Sequence, residues 1–262
     1  MTDPYQPVPD DGPASEASQG APREHSAPRG QLDEQARAEM LELMARYPQS
    51  RSALLPMLHL VQSYEGYVTP AGIELCAELL DLTEAEVSGV ATFYTMYKRR
   101  PVGEYHVGVC TNTLCAIMGG DEIFERLTEE LGIGHDETMP DGSVSLERVE
   151  CNAACDYAPV MVVNWEFVDN QTPDTATDFV TRLRSGETMH STRGPALCTF
   201  KQAERVLAGF SDGLAEQGPA AGPASLAGLR LAHEKGWTAP EPPDRALQAG
   251  GDGDATEGRT QS

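Results

Sequence analysis

Between about residues 32 and 97, apolar side chains recur at helical spacing between residues that start and stop helices. Leu32, Ala36, Met40, Leu43 and Met44 form one stripe that ends before Pro48. A second helix is expected to follow Ser52 and stop at Gly66, with Pro56 close enough to its first turn to be tolerated. Thr69 is placed to cap a third helix with Pro70 at its first position, and Thr83-x-x-Glu86 has the form of a capping box opening a fourth. Cys76 lies among Ile73, Leu75, Leu79 and Leu80 and is expected in the core. Phe93, Tyr94, Met96 and Tyr97 crowd together without clean alternation, which suits a surface offered to another chain as well as it suits an internal core.

At Lys98-Arg99-Arg100-Pro101 the period changes. Tyr105 to Val109 alternates as a short strand that runs directly into Cys110. After Gly119-Gly120, Asp121 is placed to cap a helix whose Ile123, Phe124, Leu127 and Leu131 share a face, with Gly132 as terminator. Pro140-Asp141-Gly142 is a turn. Val144 to Glu150 reads as a strand leading into Cys151, Val160 to Val163 as another, and Glu166 to Val168 as its hairpin partner across Asn164-Trp165. Thr172 and Pro173 open a helix that carries Phe179, Val180 and Leu183 inward and ends near Gly186. The order β-α-β-β-β-α predicts an α+β chain: a helical bundle over 32–97, then a layered sheet with helices over 98–186. Segments 1–31 and 187–262 are rich in Pro, Gly, Ala and acidic residues and lack a sustained apolar period. They are expected to be mostly disordered, although two short helical patterns fall in the second.

Composition narrows the function. The 262 residues carry 41 acidic and 19 basic side chains, a formal charge of −22, which repels phosphate backbones and anionic lipid surfaces alike. Nucleic acid is therefore not expected as a partner. No apolar run approaches the roughly eighteen residues that cross a bilayer, so no membrane insertion is expected. The opening MTDPYQPVPDDG has neither the basic nor the apolar region of a secretion signal, and the chain is expected in the cytoplasm. In that reducing compartment, six cysteines read as ligands, redox groups or core residues rather than as a disulfide framework.

Four of the six stand at strand ends in two pairs, Cys110-x4-Cys115 and Cys151-x3-Cys155. Four thiolates are the usual complement of a 2Fe-2S cluster, two to each tetrahedral iron. The intervening Thr111-Asn112-Thr113-Leu114 and Asn152-Ala153-Ala154 are small or uncharged apart from Leu114, so they can wrap closely and turn backbone N–H groups toward sulfur. No histidine stands two residues after any cysteine, which argues against a Rieske centre. Structural zinc on the same four thiolates, and four unrelated core cysteines, remain as alternatives; a thioredoxin-type redox pair would need C-x-x-C, which is absent. Cys198 has no cysteine neighbour and reads as a buried or interface thiol. Gly119-Gly120 is too short to be a dinucleotide-binding fingerprint and reads as a plain turn.

These residues resemble a known family. Gly89-Val90-Ala91-Thr92-Phe93-Tyr94, Pro101-Val102-Gly103, Val109-Cys110-Thr111-Asn112-Thr113, Glu150-Cys151, Ala154-Cys155 and Ala158-Pro159 follow, in order and spacing, the thioredoxin-like 2Fe-2S ferredoxin subunit of respiratory complex I, the bacterial NADH-quinone oxidoreductase. The resemblance covers roughly Leu32 to Gly186. It implies a thioredoxin-like ferredoxin domain after the helices, with one 2Fe-2S cluster on Cys110, Cys115, Cys151 and Cys155. It also implies single-electron exchange with a partner subunit that binds FMN and NADH, and further iron–sulfur subunits in the same complex. The chain would then be part of an NADH dehydrogenase without holding a complete active site, peripheral to the inner face of the cell membrane. The equivalent subunits of NAD-linked formate dehydrogenases and hydrogenases look similar and form the nearest alternative; a zinc-stabilised scaffold is the alternative from another class. Related sequences usually read C-L-G-A-C-G where this one reads Cys151-Asn152-Ala153-Ala154-Cys155-Asp156. Loss of both glycines implies that the loop needs no positive φ there, or that Asn152 and Asp156 supply it. Asp156 also places a carboxylate directly after the fourth cysteine, which is expected to lower the reduction potential unless it is hydrated or neutralised.

Overall fold

The computed structural model describes residues 32–214, 217–218 and 221–239. The expectations for 1–31 and for 240–262 lie outside the described residues. The chain divides into two compact units, Met1–Arg99 and Arg100–Ser262.

In the first unit, Asp33 accepts from the backbone N–H groups of Gln35 and Ala36 and opens α1 (Glu34–Ala45). A single 3-10 turn, Ser50–Ala53, precedes α2 (Leu54–Glu65), which ends on Gly66 at φ +81°. Thr69 caps α3 (Pro70–Leu80), and the reciprocal Thr83–Glu86 bonds open α4 (Glu84–Phe93). At α1, α3 and α4 a short polar side chain from the sequence satisfies orphan N–H groups of the first turn. Met40, Leu43, Met57, Leu58, Leu60, Val61, Cys76 and Val87 are buried in this unit. Burial pushes the Cys76 thiol up to about 12. The buried Gln62 amide donates to the Met96 carbonyl at 3.2 Å and accepts from the Lys98 N–H at 2.6 Å, fixing the end of the unit. The aromatic group splits. Phe93 is 77% exposed and Tyr94 46%, whereas Tyr97 is 6% exposed, lies 4.9 Å from the His59 ring and donates to the Leu55 carbonyl, so it belongs to the core.

The second unit is built on a five-stranded sheet of order β2-β3-β1-β4-β5, from β1 (Tyr105–Cys110), β2 (Glu137–Thr138), β3 (Val144–Val149), β4 (Met161–Val163) and β5 (Glu166–Val168). The central β1 pairs parallel with β3, Cys110 opposite Val149, and antiparallel with β4, Val107 opposite Val163. Asn164 and Trp165 turn β4 into β5 at φ +47° and +73°, as a two-residue type I′ hairpin requires. Residues of alternate parity face opposite sides. Val107, Val109, Val144, Leu146, Met161 and Val163 pack under Ile123, Phe124 and Leu127 of α6 (Gly120–Leu131) and Val180 and Leu183 of α7 (Pro173–Arg184). The helix expected to be capped by Asp121 thus starts two residues earlier. Gly119, at φ +110°, is its N-cap, while Asp121 lies in its first turn and pairs with Arg148.

The other side of the sheet carries His106, bonded to Glu147 and 4.8 Å from the Trp165 ring. Residues expected to be disordered meet it. Phe200, 1% exposed, lies 6.4 Å from the His106 ring and donates its N–H to the Glu104 carbonyl, and Asn164 donates to the Cys198 carbonyl at 2.8 Å. Phe200 opens α8 (Phe200–Leu207) under a Thr199–Gln202 capping box. A second short helix, α9 (Ala227–Lys235), follows. The stretch 187–213 is therefore ordered: one capping box and one large apolar side chain suffice because the sheet offers an uncovered face for them. Among the described residues no helix is long and apolar enough to cross a membrane.

Candidate metal centre

Each pair of cysteines is delivered by the end of a neighbouring strand. β1 ends on Cys110, and β3, its parallel neighbour, ends two residues before Cys151. Parallel pairing puts both C-terminal ends on one side of the sheet, which brings the two loops together. The first loop is not irregular throughout. Asn112 caps a short helix, α5 (Thr113–Ile117), on which Cys115 sits, and the Asn112 amide donates at 3.0 Å to Glu150, the residue before Cys151. So short an element shows no period along the chain.

Cys110 and Cys115 are each 3% exposed and pack with Ala154, Ala158 and Val160, with Val149 and Phe167 at the margin. Cys151 and Cys155 are exposed. The Cys155 sulfur interacts with those of Cys110, Cys115 and Cys151, so the four thiols lie near one another. Desolvation pushes the Cys115 thiol up to about 11, a bond from the Val160 N–H works against this, and the Cys110 and Cys155 sulfurs push it higher. The Cys155 thiol is also raised, first through its contact with Cys151, then by desolvation and by the Cys110 sulfur. Such mutual opposition to ionisation is what a cation between the sulfurs would relieve.

Donor geometry allows a direct comparison. A metal–thiolate bond of about 2.3 Å in a tetrahedral site separates two sulfurs on one metal by about 3.8 Å. Cys151 and Cys155 stand 3.7 Å apart, Sγ to Sγ. Among the described residues no three His, Cys, Asp or Glu side chains converge on a single ion position. Cys151 and Cys155 thus form one pair at that separation, and the Cys110 sulfur contacts that of Cys115 as a second. Backbone N–H groups already point at sulfur: Ala153 donates to Cys151 at 3.4 Å, and Val160 to Cys115. Cys76 lies in the first unit's core, and Cys198 is half-buried behind the sheet with its thiol raised chiefly by burial, so neither joins the group.

Three features of the site carry little signal in the sequence. A Cβ on Gly120 would stand 2.4 Å from the Cys110 carbonyl oxygen and 2.9 Å from that of Cys115, so this glycine lets α6 lie directly on the backbone of the first pair. The Gly119-Gly120 doublet was the available signal. The second loop does need a left-handed residue, and Ala153 takes it at φ +55°, whereas neither Asn152 nor Asp156 does. The expected substitution of Asn or Asp for glycine is thereby corrected: the strained position is 153, where the side chain is small enough to bear it. Finally, Asp156 is not left to water. Its carboxylate accepts from the Ser225 hydroxyl and lies 3.7 Å from the Arg193 guanidinium.

With this geometry in view, the similarity to known proteins is informative. The description thioredoxin-like 2Fe-2S ferredoxin matches residues 40–184. The NADH-quinone oxidoreductase of Mycobacterium tuberculosis (strain ATCC 25618 / H37Rv) has a subunit, designated E, that is 55% identical over 238 residues, covering 90% of this chain and 92% of its own. NADH-quinone oxidoreductase subunit 2 of Thermus thermophilus is 40% identical over 160 residues, 60% of this chain and 88% of its own.

Proposed function

The chain belongs to the thioredoxin-like 2Fe-2S ferredoxin family, as a subunit of NADH-quinone oxidoreductase, and on that premise we propose that Cys110, Cys115, Cys151 and Cys155 are the ligands of its one 2Fe-2S cluster. The observation that carries the assignment is the pairing of four thiols from two adjacent strand ends, with one pair at the tetrahedral edge length. The cluster, when bound, supplies a single-electron carrier. The residues of this chain hold it and set its surroundings. Val149, Ala154, Ala158, Val160 and Phe167 keep water from the inner pair, while the exposed Cys151 and Cys155 leave the outer pair open to an electron donor or acceptor.

The chain is a subunit of an oxidoreductase complex and carries no complete active site of its own. We take its electron partner to be the subunit that binds NADH and FMN, because hydride chemistry needs a two-electron cofactor and a one-electron centre must work beside it. Further iron–sulfur subunits then continue the path, with the complex held at the inner face of the cell membrane. An equivalent place in an NAD-linked formate dehydrogenase or hydrogenase is the second reading, but 55% identity across 92% of a relative from NADH-quinone oxidoreductase favours the first.

The test of the ligand set is replacement of each of the six cysteines by serine in the full chain, with iron, sulfide and the paramagnetic signal of the reduced state measured for each. Loss is expected at 110, 115, 151 and 155 and retention at 76 and 198. Loss in Cys198→Ser with a native signal in Cys155→Ser would overturn the assignment.

A further inference from the structure

Behind the second cysteine loop, a segment outside the 40–184 match closes on the turn that carries Cys155. Arg193 forks onto Asp169 at 2.7 and 2.9 Å, reaches Asp156 at 3.7 Å, and lies over the rings of Tyr157 and Phe167 at 5.1 and 4.7 Å. Asp169 is itself tied to Thr192 on the same segment, and the next residue, Asn170, donates to the Tyr157 carbonyl at 2.9 Å. Further along the chain, Ser225 donates to Asp156, and the Ala224 N–H donates to the Tyr157 hydroxyl at 3.1 Å.

The single 3-10 turn Cys155–Tyr157 has no side-chain cap of its own. A turn that short is held by what packs on it rather than by internal bonds. Its two outward side chains are each engaged by residues from 193 and from 222–225. A guanidinium fork is suited to this task, since it can satisfy a carboxylate, meet a second one and stack on aromatic faces at once.

We propose that Arg193 is a positioning residue for the cluster: it clamps the Cys155–Tyr157 turn against β5 and the Asp169 loop and offsets the Asp156 charge beside the fourth thiolate. The proposal rests on the ligand assignment above. Its consequence is twofold. The clamp slows opening of the outer pair, the route by which iron would leave. It also cancels much of the field by which Asp156 would oppose an added electron, so the two charges together shift the potential little while both are in place.

The test uses the full chain, purified without oxygen. Arg193→Gln is expected to release iron to a strong chelator several-fold faster and to lower the reduction equilibrium constant. One charge at about 10 Å, an effective dielectric near 20 and partial screening give a change on the order of threefold, or about 28 mV for one electron. Arg193→Lys should restore the potential but not the release rate, since it keeps the charge and loses the fork. Adding Asp156→Asn to the Gln variant should reverse most of the shift in potential, which a loss of packing alone would not do. If the Gln variant does not fold, Asp156→Asn alone decides. It leaves the Arg193–Asp169 pair intact and is expected to speed release and, by leaving the Arg193 charge unopposed, to raise the reduction equilibrium constant by about threefold or more. Wild-type release from Arg193→Lys, or an unchanged reduction equilibrium in a folded Arg193→Gln, would overturn the proposal. A wild-type chain without iron would instead overturn the ligand assignment.

Discussion

Substituting Gly120 by alanine tests how closely the second unit is built around the first cysteine pair. The added Cβ would meet the Cys110 carbonyl oxygen at 2.4 Å and the Cys115 oxygen and carbon at 2.9 and 3.0 Å. All three are backbone atoms, two of them belonging to the short helix that carries a ligand, so no flexible side-chain end can move aside. Overpacking of this kind costs about 1–3 kcal/mol. The gain in helix propensity on leaving glycine returns roughly 0.5–1 kcal/mol. The expected net loss is about 1–2 kcal/mol, or roughly 2–8 °C in Tm for a unit of this size. Gly89→Ala is the matched control: Gly89 lies inside α4 with nothing within 4 Å of the added Cβ, so a gain of about 0.5–1 kcal/mol is expected. Thermal unfolding of cluster-free protein gives the stability, and iron retained after reconstitution reports the ligand geometry. A Gly120→Ala protein as stable as the wild type and with full iron would refute the claim that α6 needs this close approach.

Ala153→Gly should raise stability by about 0.5–1 kcal/mol in urea unfolding, because left-handed backbone costs an alanine roughly 1–2 kcal/mol and the entropy of the unfolded glycine offsets part of the gain. A loss would show that the loop is unstrained at 153. The buried Cys76 thiol, pushed up to about 12 from an ordinary 9.0, makes stability depend on pH. Above 9 the unfolded chain binds fewer protons than the folded one, so this contribution is full below 9 and declines toward 12. Cys76→Ala should flatten the fall in Tm between pH 9 and 10.5 while leaving iron content unchanged; an identical pH profile would contradict the assignment.

Much of this was legible in the sequence, for local reasons. Thr69-Pro70, Thr83-x-x-Glu86 and Thr172-Pro173 each state a helix start within four residues, and all three are found as caps. The β1, β3, β4 and β5 strands and the cysteine spacing are equally local. What stayed hidden depends on partners far along the chain. Arg193 meets Asp156 and Asp169, Ser225 meets Asp156, and Phe200 covers His106; neither residue of such a pair announces the other. Residues 187–213 show no sustained apolar period because Phe200 is buried against a sheet face rather than against its own segment. Gly120 and Ala153 matter through backbone geometry, which composition does not reveal. The α5 helix, five residues long, is too short to show a period.

Whether this chain itself carries a 2Fe-2S cluster is tested most directly by metal and acid-labile sulfide analysis of the full chain purified without oxygen, together with its visible absorption. About two irons and two sulfides per chain are predicted, with negligible zinc and the brown absorption of an iron–sulfur centre that bleaches on reduction. One zinc per chain, colourless and without sulfide, would contradict the assignment.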